Sequence, residues 1–144
     1  MPKSSTNLET FVSPDEFRAV ITDFASYPKF LPEVKRVDVK DASAEGATVT
    51  FYVEVKIGGA EIKTEYTARY TYSAQEIRWQ LVSSPSLTKN EGFWRIEETK
   101  DGETKAYYES ELITSLAIPE ELQKIFADQE LPRMMQRFRD RAEA

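Results

Sequence analysis

No cysteine and no histidine occur among the 144 residues. Without thiols there is no disulfide framework, no thiolate nucleophile and no thiolate metal site. Without imidazole there is no Ser-His-Asp triad, no zinc site of the usual kind and no acid–base catalyst with an ordinary pKa near neutrality. The sequence therefore implies no metal, no cofactor and no assignable catalytic residue. Long apolar runs are missing too. Nothing approaches the ~20 residues of a membrane span, and no signal-type apolar stretch comes after Met1-Pro2-Lys3-Ser4-Ser5-Thr6-Asn7, so a soluble cytoplasmic protein is expected. Positive charge is outnumbered: 19 Lys+Arg stand against 25 Asp+Glu, a net −6, which argues against nucleic acid as a partner. The 5 glycines and 7 prolines are scattered, without a linker or a repeat. One domain over residues 1–144 is expected.

What is present suits a folded domain. Hydrophobic residues make up 40% and charged residues 31%, a globular balance. Residues 5–12 can form an opening strand. Ser13-Pro14-Asp15-Glu16 then combines an N-cap, a first-turn proline and a capping box, starting a helix that buries Phe17, Val20, Ile21 and Phe24. A short helix or turn at Ser26–Leu31 is closed by Pro32.

From Val34 the period changes to two, beginning with Val37 and Val39. Val49, Phe51, Val53, Val55 and Ile57 alternate with polar residues, and Gly58-Gly59 marks a hairpin. With that turn, Val55 faces Ile62, Val53 faces Thr64, Phe51 faces Tyr66 and Val49 faces Ala68. A second turn near Ser73–Glu76 sets Tyr72 against Ile77, Tyr70 against Trp79 and Ala68 against Leu81. After Ser84-Pro85-Ser86, alternation turns Thr88, Asn90, Gly92, Trp94 and Ile96 inward. A three-residue loop at Lys100-Asp101-Gly102 pairs Ile96 with Ala106, Trp94 with Tyr108 and Gly92 with Ser110. Pro119 opens a C-terminal helical region with two apolar stripes, Leu122, Ile125 and Phe126, then Leu131, Met134, Met135 and Phe138. Pro132 predicts a break near Asp128–Leu131.

Successive hairpins make the sheet antiparallel, with one face in need of a cover. The outer face carries interspersed charges, among them Glu54, Lys56, Lys63, Arg69, Arg78, Lys89, Arg95 and Glu111. The inner face has no charge on its central strands but carries Thr64, Tyr66, Tyr70, Tyr72, Ser83, Thr88, Asn90, Tyr108 and Ser110 among the aliphatics. Buried hydroxyls and amides need partners, and so many of them suit a mostly apolar cavity with a few polar fixtures.

Phe11–Lys40, with Asp23-Phe24, Tyr27-Pro28 and Phe30-Leu31-Pro32-Glu33-Val34, resembles the polyketide cyclase/dehydrase family of the START-like (SRPBCC) superfamily. Glu91-Gly92-Phe93-Trp94-Arg95 and Gly102-Glu103-Thr104-Lys105 through Tyr108 match its later strands. The nearest branch by resemblance is the coenzyme Q-binding and ribosome-association-toxin-like one. The resemblance implies an α+β helix-grip fold, with about seven antiparallel strands curled around a long C-terminal helix, two short helices after the first strand, and a deep cavity for lipids, quinones or polyketides.

On this reading the expected cavity residues are Phe51, Val53, Thr64, Tyr66, Tyr70, Trp79, Asn90, Trp94, Tyr108 and Ser110 from the sheet. Phe126, Met134, Met135 and Phe138 face them from the helix side, and Phe30 and Leu31 form part of a mouth. A binder or carrier of a hydrophobic small molecule ranks first. An aromatase/cyclase-type enzyme ranks below it, because only tyrosine hydroxyls and rim residues such as Glu33, Asp23 and Arg95 remain for acid–base work. A ribosome- or protein-interaction module is the third reading, resting on Arg133, Arg137, Arg139 and Arg141, which Asp128, Glu130, Asp140 and Glu143 dilute.

Overall fold

A computed structural model describes residues 3–57, 59–114 and 131–144. Ser13 acts as expected at the first helix. Its Oγ accepts from the Glu16 backbone N–H at 3.2 Å, while the Glu16 carboxylate faces the Ser13 N–H at 3.4 Å. The helix so capped, α1 (Pro14–Thr22), buries Phe17 and Ile21. A 3-10 turn, Phe24–Ser26, leads into α2 (Tyr27–Phe30).

The strands are β1 (Lys3–Thr10), β2 (Val34–Ser43), β3 (Gly46–Ile57), β4 (Ala60–Tyr72), β5 (Glu76–Ser83), β6 (Leu87–Glu98) and β7 (Thr104–Thr114). They form one seven-stranded antiparallel sheet in the order β1-β7-β6-β5-β4-β3-β2. The first strand thus pairs with the last, and α1 and α2 carry the chain from one sheet edge to the other. The last described helix, α3 (Leu131–Glu143), turns Leu131, Met135 and Phe138 into the core. The Thr10 hydroxyl donates to the Glu143 carboxylate at 2.6 Å and Arg139 pairs with it at 3.1 Å, fastening the end of α3 to β1. Both contacts favour the anion, so the Glu143 carboxyl is held below its ordinary value, first by the Thr10 bond.

The three hairpin registers agree with expectation: Phe51–Tyr66, Tyr70–Trp79 and Trp94–Tyr108 are all cross-strand partners. Gly102 sits at φ 78°, in the left-handed region that glycine enters freely, and its N–H closes the loop onto Thr99 O at 3.1 Å. Gly58 and the segment 115–130 lie outside the described residues. So do the expected helix start at Pro119, the stripe Leu122, Ile125 and Phe126, and most of the expected break before Pro132.

Two inward expectations are corrected. Register shifts fall between Thr67 and Ala68 on the β4–β5 ladder and between Leu87 and Lys89 on the β6–β7 ladder. Each irregularity sets one residue out of step, and a one-residue slip reverses the facing of every residue beyond it. Ser83 and Thr88 are accordingly exposed, while Leu87 and Ser86 are buried. Val39, on the edge strand β2, is 40% exposed.

Candidate functional site

The inner face of the sheet is a continuous band of rings. Phe51 of β3 meets Tyr66 of β4 at 5.1 Å between centroids. Tyr70 of β4 stacks on Trp79 of β5 at 5.8 Å, and Phe24 closes on Tyr70 at 4.6 Å. Trp79 reaches Tyr108 of β7 at 5.5 Å, although β6 lies between their strands. The reason is Gly92, the β6 partner of Trp79 and of Ser110. With no side chain there, the indole lies across β6. Trp94, one inward position further along, packs on Tyr108 at 4.9 Å and on Phe138 of α3 at 5.3 Å. Phe138 also meets Tyr27 and Phe30 at 5.4 and 5.2 Å, so α2 and α3 cover the band together.

Polar groups are set into this band. The Trp79 indole N–H donates to Asn90 Oδ1 at 3.1 Å, a buried bond. Thr64 and Ser86 share a hydroxyl–hydroxyl bond, and the Thr114 hydroxyl donates to Ser86 O at 2.7 Å. Tyr27 donates to Ile21 O at 2.5 Å. The Tyr70 hydroxyl has no hydrogen-bond partner among the described residues.

Desolvation dominates the phenols. It lifts Tyr27 and Tyr70 well above the ordinary phenol value, raises Tyr66, and pushes Tyr108 up to about 12. Asn90 and Ser110 act in the opposite, lowering sense on Tyr66 and Tyr108. All four are neutral donors at physiological pH. A phenol whose folded value is raised stabilises the fold fully below the unfolded value, 10, and loses that contribution as pH rises through the folded value, about 12 for Tyr108. Alkaline titration followed at 295 nm should therefore show Tyr27, Tyr66, Tyr70 and Tyr108 ionising late and together with loss of the near-ultraviolet circular dichroism. Ionisation of all seven tyrosines in one ordinary step with the fold intact would contradict this.

Most of the expected site residues are brought to one side of the sheet. Phe51, Tyr70, Trp79, Asn90, Trp94, Met135 and Phe138 are buried; Val53, Thr64, Tyr66, Tyr108, Ser110, Met134 and Phe30 keep partial exposure. Leu31 is 3% exposed and belongs to the core beside Tyr27, and Phe126 lies outside the described residues. Sequence reasoning treated Ser86 only as part of a turn, because the strand irregularities that bury it leave no mark in the local pattern. Where β5 and β6 part beyond the Trp79–Gly92 pair, a groove of about 470 Å³ opens between residues 80–84 and 87–91, and Asn90 lines it. Outside, Arg78 and Arg95 share the Glu76 carboxylate at 2.8 and 3.1 Å and flank Phe93 at 4.5 and 5.6 Å, a solvated ladder on the other face. Among the described residues no acidic cluster is arranged to hold a metal ion, and no helix is long and apolar enough to cross a membrane.

The fold has known counterparts. The family model for polyketide cyclase/dehydrase and lipid transport proteins matches residues 12–139. The chain belongs to that family. Among solved structures, a START superfamily protein from Mycobacterium smegmatis superposes with TM-score 0.81 at 20% identity, covering 99% of this chain and 98% of that one. The Zhui aromatase/cyclase from Streptomyces sp. R1128 gives 0.80 at 15% identity, over 98% and 93%. A STAR-related lipid transfer protein fragment from Xanthomonas axonopodis gives 0.77 at 12%, over 97% and 85%. At these identities the likeness establishes the shared helix-grip fold. No curated protein sequence matches the chain.

Proposed function

We propose that this family member binds and carries a hydrophobic small molecule between the inner face of the sheet and the C-terminal helix. One observation carries the reading. Tyr66 and Tyr108 are enclosed enough for desolvation to raise their phenols, yet both keep accessible surface. A side chain surrounded by protein that still admits a water-sized probe borders an internal space or its mouth, and such a space lined by rings with a few polar groups suits an organic ligand. Phe51, Val53, Thr64, Tyr70, Trp79, Asn90, Trp94 and Ser110 are the proposed walls from the sheet, with Met134, Met135 and Phe138 from α3 and Phe30 at the rim. Lipid-, quinone- and polyketide-like molecules are the ligand classes, the quinone being the one the coenzyme Q-binding resemblance favours. Native mass spectrometry of protein purified from cells, with displacement of a fluorescent fatty alcohol, is expected to reveal one apolar molecule per chain. Absence of uptake in both measurements removes the reading.

An aromatase/cyclase activity is the second reading, supported by the aromatase/cyclase among the structural neighbours. It would rest on Tyr66 or Tyr108 as proton donor, since among the described residues no charged side chain stands on the inner face of the central strands. The interaction-module reading has less support: Arg137 pairs with Glu33 at 3.5 Å, Arg139 with Glu143, and Arg141 lies over Phe30. These internal engagements leave little of a free basic face.

A further inference from the structure

We propose that two copies of this chain associate through the edge of β1 that faces away from β7, antiparallel and about a two-fold axis at Thr6, joining their sheets into one. Among the described residues β1 and β2 are the two edges of the sheet. An edge strand presents backbone N–H and C=O groups that can pair with another chain. The two edges are built in opposite ways. β2 is interrupted by register shifts between Val34 and Arg36 and between Lys40 and Ser43, and Asp41 stands at φ 50°. It also carries Lys35, Arg36, Asp38, Lys40 and Asp41. Bulges and crowded charge keep an edge from pairing. β1 has neither. Lys3–Thr10 pairs with β7 residue for residue, without a shift and without a proline, and its only charges are Lys3 and Glu9.

The sequence of β1 is complementary to itself. Laid antiparallel about Thr6, the strand sets Lys3 opposite Glu9 of the second copy and Glu9 opposite the second copy's Lys3, with Ser5 opposite Asn7 between them. Lys3, Ser5, Asn7 and Glu9 are all exposed, and alternation puts them on one face. Opposite charges directly across a strand pair are favourable, and like charges are not. Parallel pairing in register would set Lys3 on Lys3 and Glu9 on Glu9, so the charges select the antiparallel arrangement. Such a contact uses the same edge on both copies and closes after two. Within its own chain Lys3 faces Glu111, which pairs with Lys89, and Glu9 faces Lys105.

Lys3→Glu and Glu9→Lys test this in the full chain, by sedimentation velocity at low salt and pH 7. One strand from each copy makes a small, transient contact, so concentrations from about 10 μM to about 1 mM are needed. The unaltered protein is expected to pass from monomer to dimer over that range and to form nothing larger. Each single substitution sets like charges at both ends of the strand pair and should weaken association by about tenfold. An equal mixture of the two variants should restore it, because every pair between copies is then of opposite sign. The double variant should recover as well, although it places like charges against Glu111 and Lys105. Circular dichroism confirms that each variant is folded. A monomer at every concentration overturns the proposal, whether or not the edge takes up an extended peptide from another protein. So does a dimer that neither substitution weakens. Loss without recovery on mixing also overturns it, because the charges would then act only on Glu111 and Lys105 of their own chain.

Discussion

Phe17→Ala is expected to destabilise the protein by about 3–5 kcal/mol, the range for deleting a buried phenylalanine. Phe17 is fully buried on α1 and packs edge-on against Trp94 at 5.6 Å. Its ring is one of the links between the helical cover and the aromatic band, because Trp94 in turn contacts Tyr108 and Phe138. Deletion leaves a void that strand backbone cannot close, so the cavity cost adds to the lost transfer energy. For a chain of this size the midpoint of thermal unfolding should fall by roughly 10–15 °C. Phe11→Ala supplies the comparison: the same atoms are removed at a position 62% exposed, and a change below about 1 kcal/mol is expected there. Urea unfolding followed by tryptophan fluorescence measures both. Similar losses in the two variants would mean that α1 is not seated on the band as described.

Gly92→Ala should be nearly as damaging, although it adds one methyl group and removes nothing. A Cβ at Gly92 would lie 2.2 Å from Glu109 O, 2.9 Å from Ser110 Cα and 2.7 Å from Trp79 Cζ2. Two of those atoms are backbone of the neighbouring strand and cannot swing away. Glycine inside a strand marks such close approach. Relief requires moving β7 or lifting the indole, and overpacking of this kind costs about 1–3 kcal/mol, with the upper end expected here. Lifting the indole also breaks the Trp79–Asn90 bond, so the near-ultraviolet circular dichroism should change. A Gly92→Ala protein with wild-type stability and an unaltered aromatic spectrum would refute the account of how Trp79 reaches Tyr108.

Phe17 and Gly92 differ in how far each was legible in the chain. Phe17 lies three and four residues from Val20 and Ile21 behind a capping box, so its burial comes from helical period alone. The hairpin registers were legible for a similar reason. Turn residues set the pairing, and a period of two then decides every facing until an extra residue intervenes. Ser83 and Thr88 mark where that logic stops. One added residue in a strand has no compositional sign, yet it turned both outward and buried Ser86 and Leu87. Gly92 was legible as an inward position but not as a space, because the indole that fills it belongs to another strand.

The missing chemistries, the antiparallel sheet and the inward-facing tyrosines are properties of composition and of near neighbours in the chain, and they could be read without coordinates. The crossing of Trp79 over Gly92 to Tyr108, and the hold of Trp79 on Asn90, could not. Nor could the desolvation of the Tyr66 and Tyr108 phenols beside accessible space. Those properties arise from residues on different strands brought within hydrogen-bond or ring-contact distance by the curl of the sheet, and no local pattern encodes that curl.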